Sequence, residues 1–253
     1  MAPLTVTGDV TGDVTNPVTI GATITVTMAP MLNAAAWARI VPFALFMALL
    51  ALRGAVPADN AWGWDPRWFY ALNLVVVGGA LAWYWRQYGE LARQNLPTLL
   101  EVAASTGIGL VVFGLWIALD APWMQLGEPT ASFVPVRQDG SLDWPLIAVR
   151  WLGAALLVPV MEELFWRSFL LRWIANPRFE GVDPRESGLK ALVLSTFLFM
   201  LAHTLWLAAI VAGLAYGLIY QRTGKLWCAV IAHGVTNGAL GVWVVWSGQW
   251  VFW

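Results

Sequence analysis

Val158-Pro159-Val160-Met161-Glu162-Glu163-Leu164-Phe165-Trp166-Arg167-Ser168-Phe169-Leu170 places two carboxylates and a guanidinium inside an apolar run. The run belongs to a stretch over 146–172, long enough for the ~20 residues a helix needs to cross hydrocarbon. A charged side chain at the centre of such a helix costs roughly 2.5–3.5 kcal/mol on insertion scales. On a helix, Glu163 and Arg167 are i and i+4 and share a face, so they can pair and offset that cost. Glu162 points about 100° away and has no partner within its own helix. Pro159 removes a hydrogen bond just before it, which predicts a kink and room for a polar cavity.

The rest of the chain is of the same kind. Of its 253 residues 59% are hydrophobic and 11% charged, and mean hydropathy is +0.66. A soluble domain carries about 25% charged residues, so the expected solvent is lipid and the expected fold an all-α bundle of about seven or eight transmembrane helices. Apolar runs fall at 36–52, 68–86, 97–119, 146–172, 189–205, 206–221 and 226–247. The pair over 189–221 reads either as two short helices with a turn near Thr204–Leu207 or as one long helix with a re-entrant piece. Trp37, Trp68, Trp83, Trp85, Trp123, Trp151, Trp173, Trp227 and Trp246 lie near run ends, where tryptophan anchors to the interface. The net charge of −1 and the lack of a basic patch argue against nucleic-acid binding. Cys228 is the single cysteine, so no disulfide forms within the chain.

Loop charges predict orientation. Arg86, Arg93, Arg172, Arg178, Arg185, Lys190, Arg222 and Lys225 fall in the loops 86–96, 172–190 and 222–225. The loops 53–67 and 120–145 mix Arg53, Arg67 and Arg137 with six acids. The first set is expected in the cytoplasm, with the N-terminus. Residues 1–33 differ in character. Val6-Thr7-Gly8-Asp9 repeats as Val10-Thr11-Gly12-Asp13, with no helical period and no basic signal region, so this segment is expected to be disordered or weakly extended. Met28 and Met31 offer alternative starts. The remainder, 34–253, reads as one domain.

Two further spans carry polar groups at helical spacing. Phe199-Met200-Leu201-Ala202-His203 sets an aromatic ring and a histidine one turn apart, and His233-Gly234-Val235-Thr236-Asn237 does the same for a histidine and an amide. These are the two histidines of the chain. Gly234, Gly238 and Gly241 would let a neighbouring helix come close. Taken singly, Glu163–Arg167 reads as a structural ion pair and each histidine as a helix–helix hydrogen-bond partner. Taken together, Glu162, His203, His233 and Asn237 on three helices point to a functional site. A carboxylate and an imidazole can deprotonate water. A second imidazole and an amide can hydrogen-bond an oxyanion. No Gly-x-Ser-x-Gly elbow and no His-Glu-x-x-His helix is present.

The ordered motifs Glu162-Glu163-x-x-x-Arg167, Phe199-x-x-x-His203 and His233-x-x-x-Asn237 resemble the CAAX-protease and bacteriocin-processing (CPBP, or ABI) family, which includes the type II CAAX prenyl endopeptidases. The resemblance covers about residues 145–245. The short, tryptophan-rich chain also resembles the bacterial subgroup found with exosortase systems, which implies a bacterial inner membrane. The resemblance implies a glutamate-type intramembrane endopeptidase acting on a membrane-associated protein or peptide. Glu162 and His203 would activate water, His233 and Asn237 would form the oxyanion hole, and Glu163 and Arg167 would hold the geometry. Family members are often described as metalloproteases, and Glu162, His203 and His233 are the candidate zinc ligands; a metal-independent site is the favoured reading. Substrate is expected to reach the site laterally or from the end bearing Arg167 and Arg172. A proton-coupled transporter and a non-catalytic adaptor or immunity-type protein are the competing classes. No internal repeat supports the transporter.

Overall fold

The computed structural model describes residues 6–7, 23–24, 32–55, 65–127 and 133–253. The chain divides into two units, Met1–Asn33 and Ala34–Trp253. In the first, Val6–Thr7 pairs antiparallel with Thr23–Ile24. Apart from residues 32–33, the rest of the segment expected to be disordered or weakly extended lies outside the described residues.

The second unit is all-helical, with seven principal helices among the described residues. They are α1 (Ala34–Gly54), α2 (Phe69–Tyr84), α3 (Leu99–Ala118), α4 (Trp144–Ala175), α5 (Gly188–Leu201), α6 (Trp206–Thr223) and α7 (Leu226–Ser247). Each expected span coincides with one of them. The 189–221 stretch resolves into two helices, with the turn at 202–205. Among the described residues five helices are long and apolar enough to cross a membrane, α5 and α6 not being among them, and the chain is an integral membrane protein. Side chains such as Leu99, Leu100 and Val75 are exposed on the outer surface, as apolar groups facing lipid should be.

Helix α7 is the most buried of the five candidate spans and packs against α3, α4 and α6. A Cβ on Gly234 would stand 2.8 Å from the Ala155 carbonyl oxygen, and one on Gly241 would stand 2.5 Å from the Trp151 ring. Gly234 lets the α4 and α7 backbones touch, and Gly241 makes room for the Trp151 ring, the close approach that small residues permit between membrane helices. At Gly238 the nearest atom would be 3.6 Å away, an ordinary contact.

The loops segregate to two ends. At one end Arg39 donates to both Glu90 carboxylate oxygens, Ser168 also contacts Glu90, Lys225 pairs with Glu101 at 2.7 Å, and Arg185 donates to the Thr223 carbonyl. The basic loops therefore share one end of the bundle. At the other end Arg67 donates to the Val136 carbonyl, and the Leu126 amide donates to the Thr204 carbonyl. Trp37, Trp68, Trp83, Trp85, Trp123 and Trp246 are exposed, as interfacial anchors require. Trp151 is not an anchor: its indole N–H donates to the Gly238 carbonyl and ties α4 to α7. Trp227 likewise donates inward, to the Leu91 carbonyl.

Candidate active site

Pro159 shapes the site through what it cannot donate. Helix α4 widens into π turns over Gly153–Leu157 and Leu164–Leu171. In the first, the Val158 amide reaches back five residues to the Gly153 carbonyl. The next such bond, to the Ala154 carbonyl, would need the N–H that Pro159 lacks. The Asn237 side chain supplies it instead, donating to the Ala154 oxygen at 3.0 Å. The kink expected from Pro159 is thus a π bulge whose freed carbonyl is satisfied from α7, an arrangement frequent at functional sites.

The adjacent glutamates part company here. Glu163 is fully buried. Its carboxylate meets Arg167 at 3.2 Å, the pair expected from the i, i+4 spacing, and its Oε1 accepts from His233 Nδ1 at 2.8 Å. Arg167 also donates to the Gly213 carbonyl and lies over the Phe199 and Tyr216 rings at 4.7 and 5.5 Å. Glu162 faces a cavity of about 160 Å³, room for on the order of ten waters. Its Oε2 is buried and has no protein partner. His203, His233, Asn237, Tyr216, Trp116, Arg150 and Trp253 share the lining.

The two imidazoles are oriented alike. His203 Nδ1 lies 2.7 Å from the Phe199 carbonyl oxygen. Carbonyl and carboxylate oxygens only accept, so Nδ1 of His203 and of His233 must each carry a proton. This leaves Nε2 as the free nitrogen of both rings. Tyr216 stacks on His233 with ring centres 5.0 Å apart, and its hydroxyl donates to Thr236, which donates on to the Gly109 and Ala232 carbonyls. Trp116 meets His203 edge to face at 5.8 Å.

The structure therefore brings Glu162, His203, His233 and Asn237 to one cavity, and places Glu163 and Arg167 behind it as the support of His233. Among the described residues no three His, Cys, Asp or Glu side chains converge with metal-ligand geometry. Glu162, His203 and His233 line one wall without forming such a set, so the zinc reading of these three finds no support in their arrangement. From Glu162 the lining runs towards Arg150, Phe252 and Trp253, near the start of α4 and the end of the chain, away from Arg172 and the basic loops. Arg150 went unnoticed in the sequence. Its signal was present: an arginine inside the fourth span with no carboxylate three or four residues to either side.

Residues 144–239 match the family described as Type II CAAX prenyl endopeptidase Rce1-like. This Rce1-like segment contains Glu162, Glu163, Arg167, His203, His233 and Asn237, all of α4, and the part of α7 that packs on its π turns. The chain is also similar to the heme A synthase of Novosphingobium aromaticivorans, 28% identical over 199 residues, which are 74% of this chain and 55% of that protein. The chain thus spans about half the length of the curated relative it matches. No solved structure matches it significantly.

Proposed function

We propose that the protein is an intramembrane endopeptidase that hydrolyses a peptide bond of a membrane-associated protein or peptide, using water activated by Glu162 and His203. One observation carries this reading. Glu162 lines a cavity that also holds both histidines and Asn237, and one of its carboxylate oxygens is buried without a protein partner. A buried acceptor left unpaired is costly, so its retention calls for a donor in use there.

Water between Glu162 and the free Nε2 of His203 gives a hydrogen to each, and its lone pair is left to attack the scissile carbonyl carbon. Glu162 takes the proton as the new C–O bond forms. It then passes that proton to the amine nitrogen as the C–N bond breaks. Asn237 spends one side-chain N–H on Ala154 and retains a second for the oxyanion. His233 can join it only with a proton on Nε2 as well, so its oxyanion role uses the imidazolium, with Glu163 facing Nδ1. Glu163 and Arg167 act through His233 and are positioning residues. By the charge of the loops, the end bearing Arg172 and Lys225 faces the cytoplasm with the N-terminus, in a bacterial inner membrane.

The name of the Novosphingobium relative suggests a haem-linked reading. The cavity at the histidines, about 160 Å³, is below the few hundred Å³ usual even for drug-sized ligands, and a porphyrin exceeds it.

The test is cleavage of bilayer-tethered fluorogenic peptides by the purified full chain, comparing wild type with Glu162→Gln and His203→Ala, each with and without a chelator. Cleavage lost in both variants and indifferent to the chelator is the expected result. Cleavage that survives Glu162→Gln would sink the assignment.

A further inference from the structure

Arg150 stands in the wall of this same cavity, at the far end from the basic loops. Its guanidinium carbon lies 4.4 Å from the centre of the Tyr70 ring and 5.9 Å from that of Phe133. These faces hold the guanidinium plane by cation–π attraction, and the Tyr70 hydroxyl engages at most one of its five N–H donors. No carboxylate among the described residues forms an ion pair with it. The acids nearest in sequence do not serve: Asp143 pairs with Arg137 at 3.6 Å, Asp139 accepts from Ser141, and Glu162, in the lining of the same cavity, forms no ion pair with it. The Arg150 Nε is buried and has no hydrogen-bond partner.

A half-buried, ring-held guanidinium with an unused edge is built to receive a planar anion in a two-pronged hydrogen bond. The geometry points to Arg150 as the subsite for a carboxylate of the substrate, an inference that rests on the peptidase reading. The placement also sets a length. Arg150 and Glu162 are twelve positions apart on α4, at most about 18 Å of helix, which the π turn between them shortens. That is the reach of about five residues of extended peptide. The bound carboxylate therefore lies within roughly five residues of the scissile bond. Its source is either a free chain end or an acidic side chain.

The inference is tested by binding rather than turnover. The full chain carrying Glu162→Gln, in detergent, is titrated by fluorescence anisotropy with a dye-labelled apolar pentapeptide in three forms. These are the free acid, the C-terminal amide, and the amide with Glu as its last residue. A chain-end subsite binds the free acid about tenfold or more tighter than the plain amide, the scale of one charge-assisted pair. A side-chain subsite gives that advantage to the Glu-bearing amide. Arg150→Gln brings the favoured form to parity with the plain amide, and Arg150→Lys, which keeps the charge without the fork, retains part of the preference. Arg150→Lys alone decides if Arg150→Gln fails to fold. Equal binding of all three peptides, absence of binding, or a preference untouched by substitution of Arg150 overturns the proposal. An Arg150-dependent preference in a protein showing no Glu162-dependent cleavage would remove the peptidase reading and leave the carboxylate subsite standing.

Discussion

Glu163 Oε1 accepts from His233 Nδ1 at 2.8 Å while the same carboxylate pairs with Arg167 at 3.2 Å. One buried acid thus joins a charge on its own helix to an imidazole 70 residues away. The neighbouring carboxylate, Glu162, has an oxygen with no such tie. From this contrast the two adjacent glutamates are expected to fail differently when changed.

Glu162→Gln removes the proposed base without breaking a protein contact of Oε2. Peptide cleavage should fall by about 10²–10⁴-fold, while the melting temperature in detergent holds or rises. A large drop in melting temperature would mean that Glu162 is structural.

Glu163→Gln leaves the Arg167 charge buried without its counter-ion. Breaking a buried pair costs about 3–5 kcal/mol, so this variant should unfold at clearly lower temperature than Glu162→Gln. Denaturant titration of the two side by side makes the comparison.

Asn237→Ala strips the donor from the Ala154 carbonyl that Pro159 left free. The expected loss is about 1–3 kcal/mol of stability from an unsatisfied buried acceptor, together with about 10²–10³-fold in kcat for a missing oxyanion donor. Pro159→Ala restores a backbone N–H to α4. Placed in the Asn237→Ala background, it should recover stability and leave kcat low, which separates the two roles.

Gly234→Ala drives a methyl to 2.8 Å from the Ala155 oxygen, whereas Gly238→Ala meets nothing nearer than 3.6 Å. Overpacking of this kind costs about 1–3 kcal/mol. Thermal melts should show Gly234→Ala well below wild type and Gly238→Ala close to it.

Outside the spans, Asp65 binds Arg67 through both carboxylate oxygens, and Arg67 holds the Val134 and Val136 carbonyls. The Arg67 hydrogen bond keeps the Asp65 carboxyl below the usual carboxylate range. A depressed folded-state value contributes stability that is present above the unfolded value and is lost as pH falls through the folded one. Wild type should therefore melt above Asp65→Asn at neutral pH, and the gap should close on acidification below about pH 4. A gap independent of pH would exclude the ion pair as its source.

The parts of the site that read from sequence are those within one helical turn. Glu163 and Arg167 pair because residues i and i+4 stack on any helix, and Pro159 had to disturb its helix because it has no N–H. The π turns were not legible, since they depend on α7 lying close enough for Asn237 to take up a freed carbonyl. Trp151 reads as an interfacial anchor by position, and becomes an inter-helix donor only because Gly238 and Gly241 draw α7 against it. Arg150 carried a signal that pattern reading passed over. Its meaning came from Tyr70 and Phe133, rings far away in the chain that hold the guanidinium in the cavity wall.

What the sequence by itself determined is the membrane-spanning helical bundle and its inventory of intramembrane charge. Long apolar runs must close their own backbone hydrogen bonds where no water can do so, and local spacing fixes which side chains share a face. What the tertiary structure alone decided is the division of labour between Glu162 and Glu163. The two are identical in chemistry and about 100° apart on one helix. The packing of α7 on the bulged stretch of α4 set His233 against one of them and opened a cavity in front of the other. That choice depends on contacts between residues tens of positions apart, which no local spacing encodes.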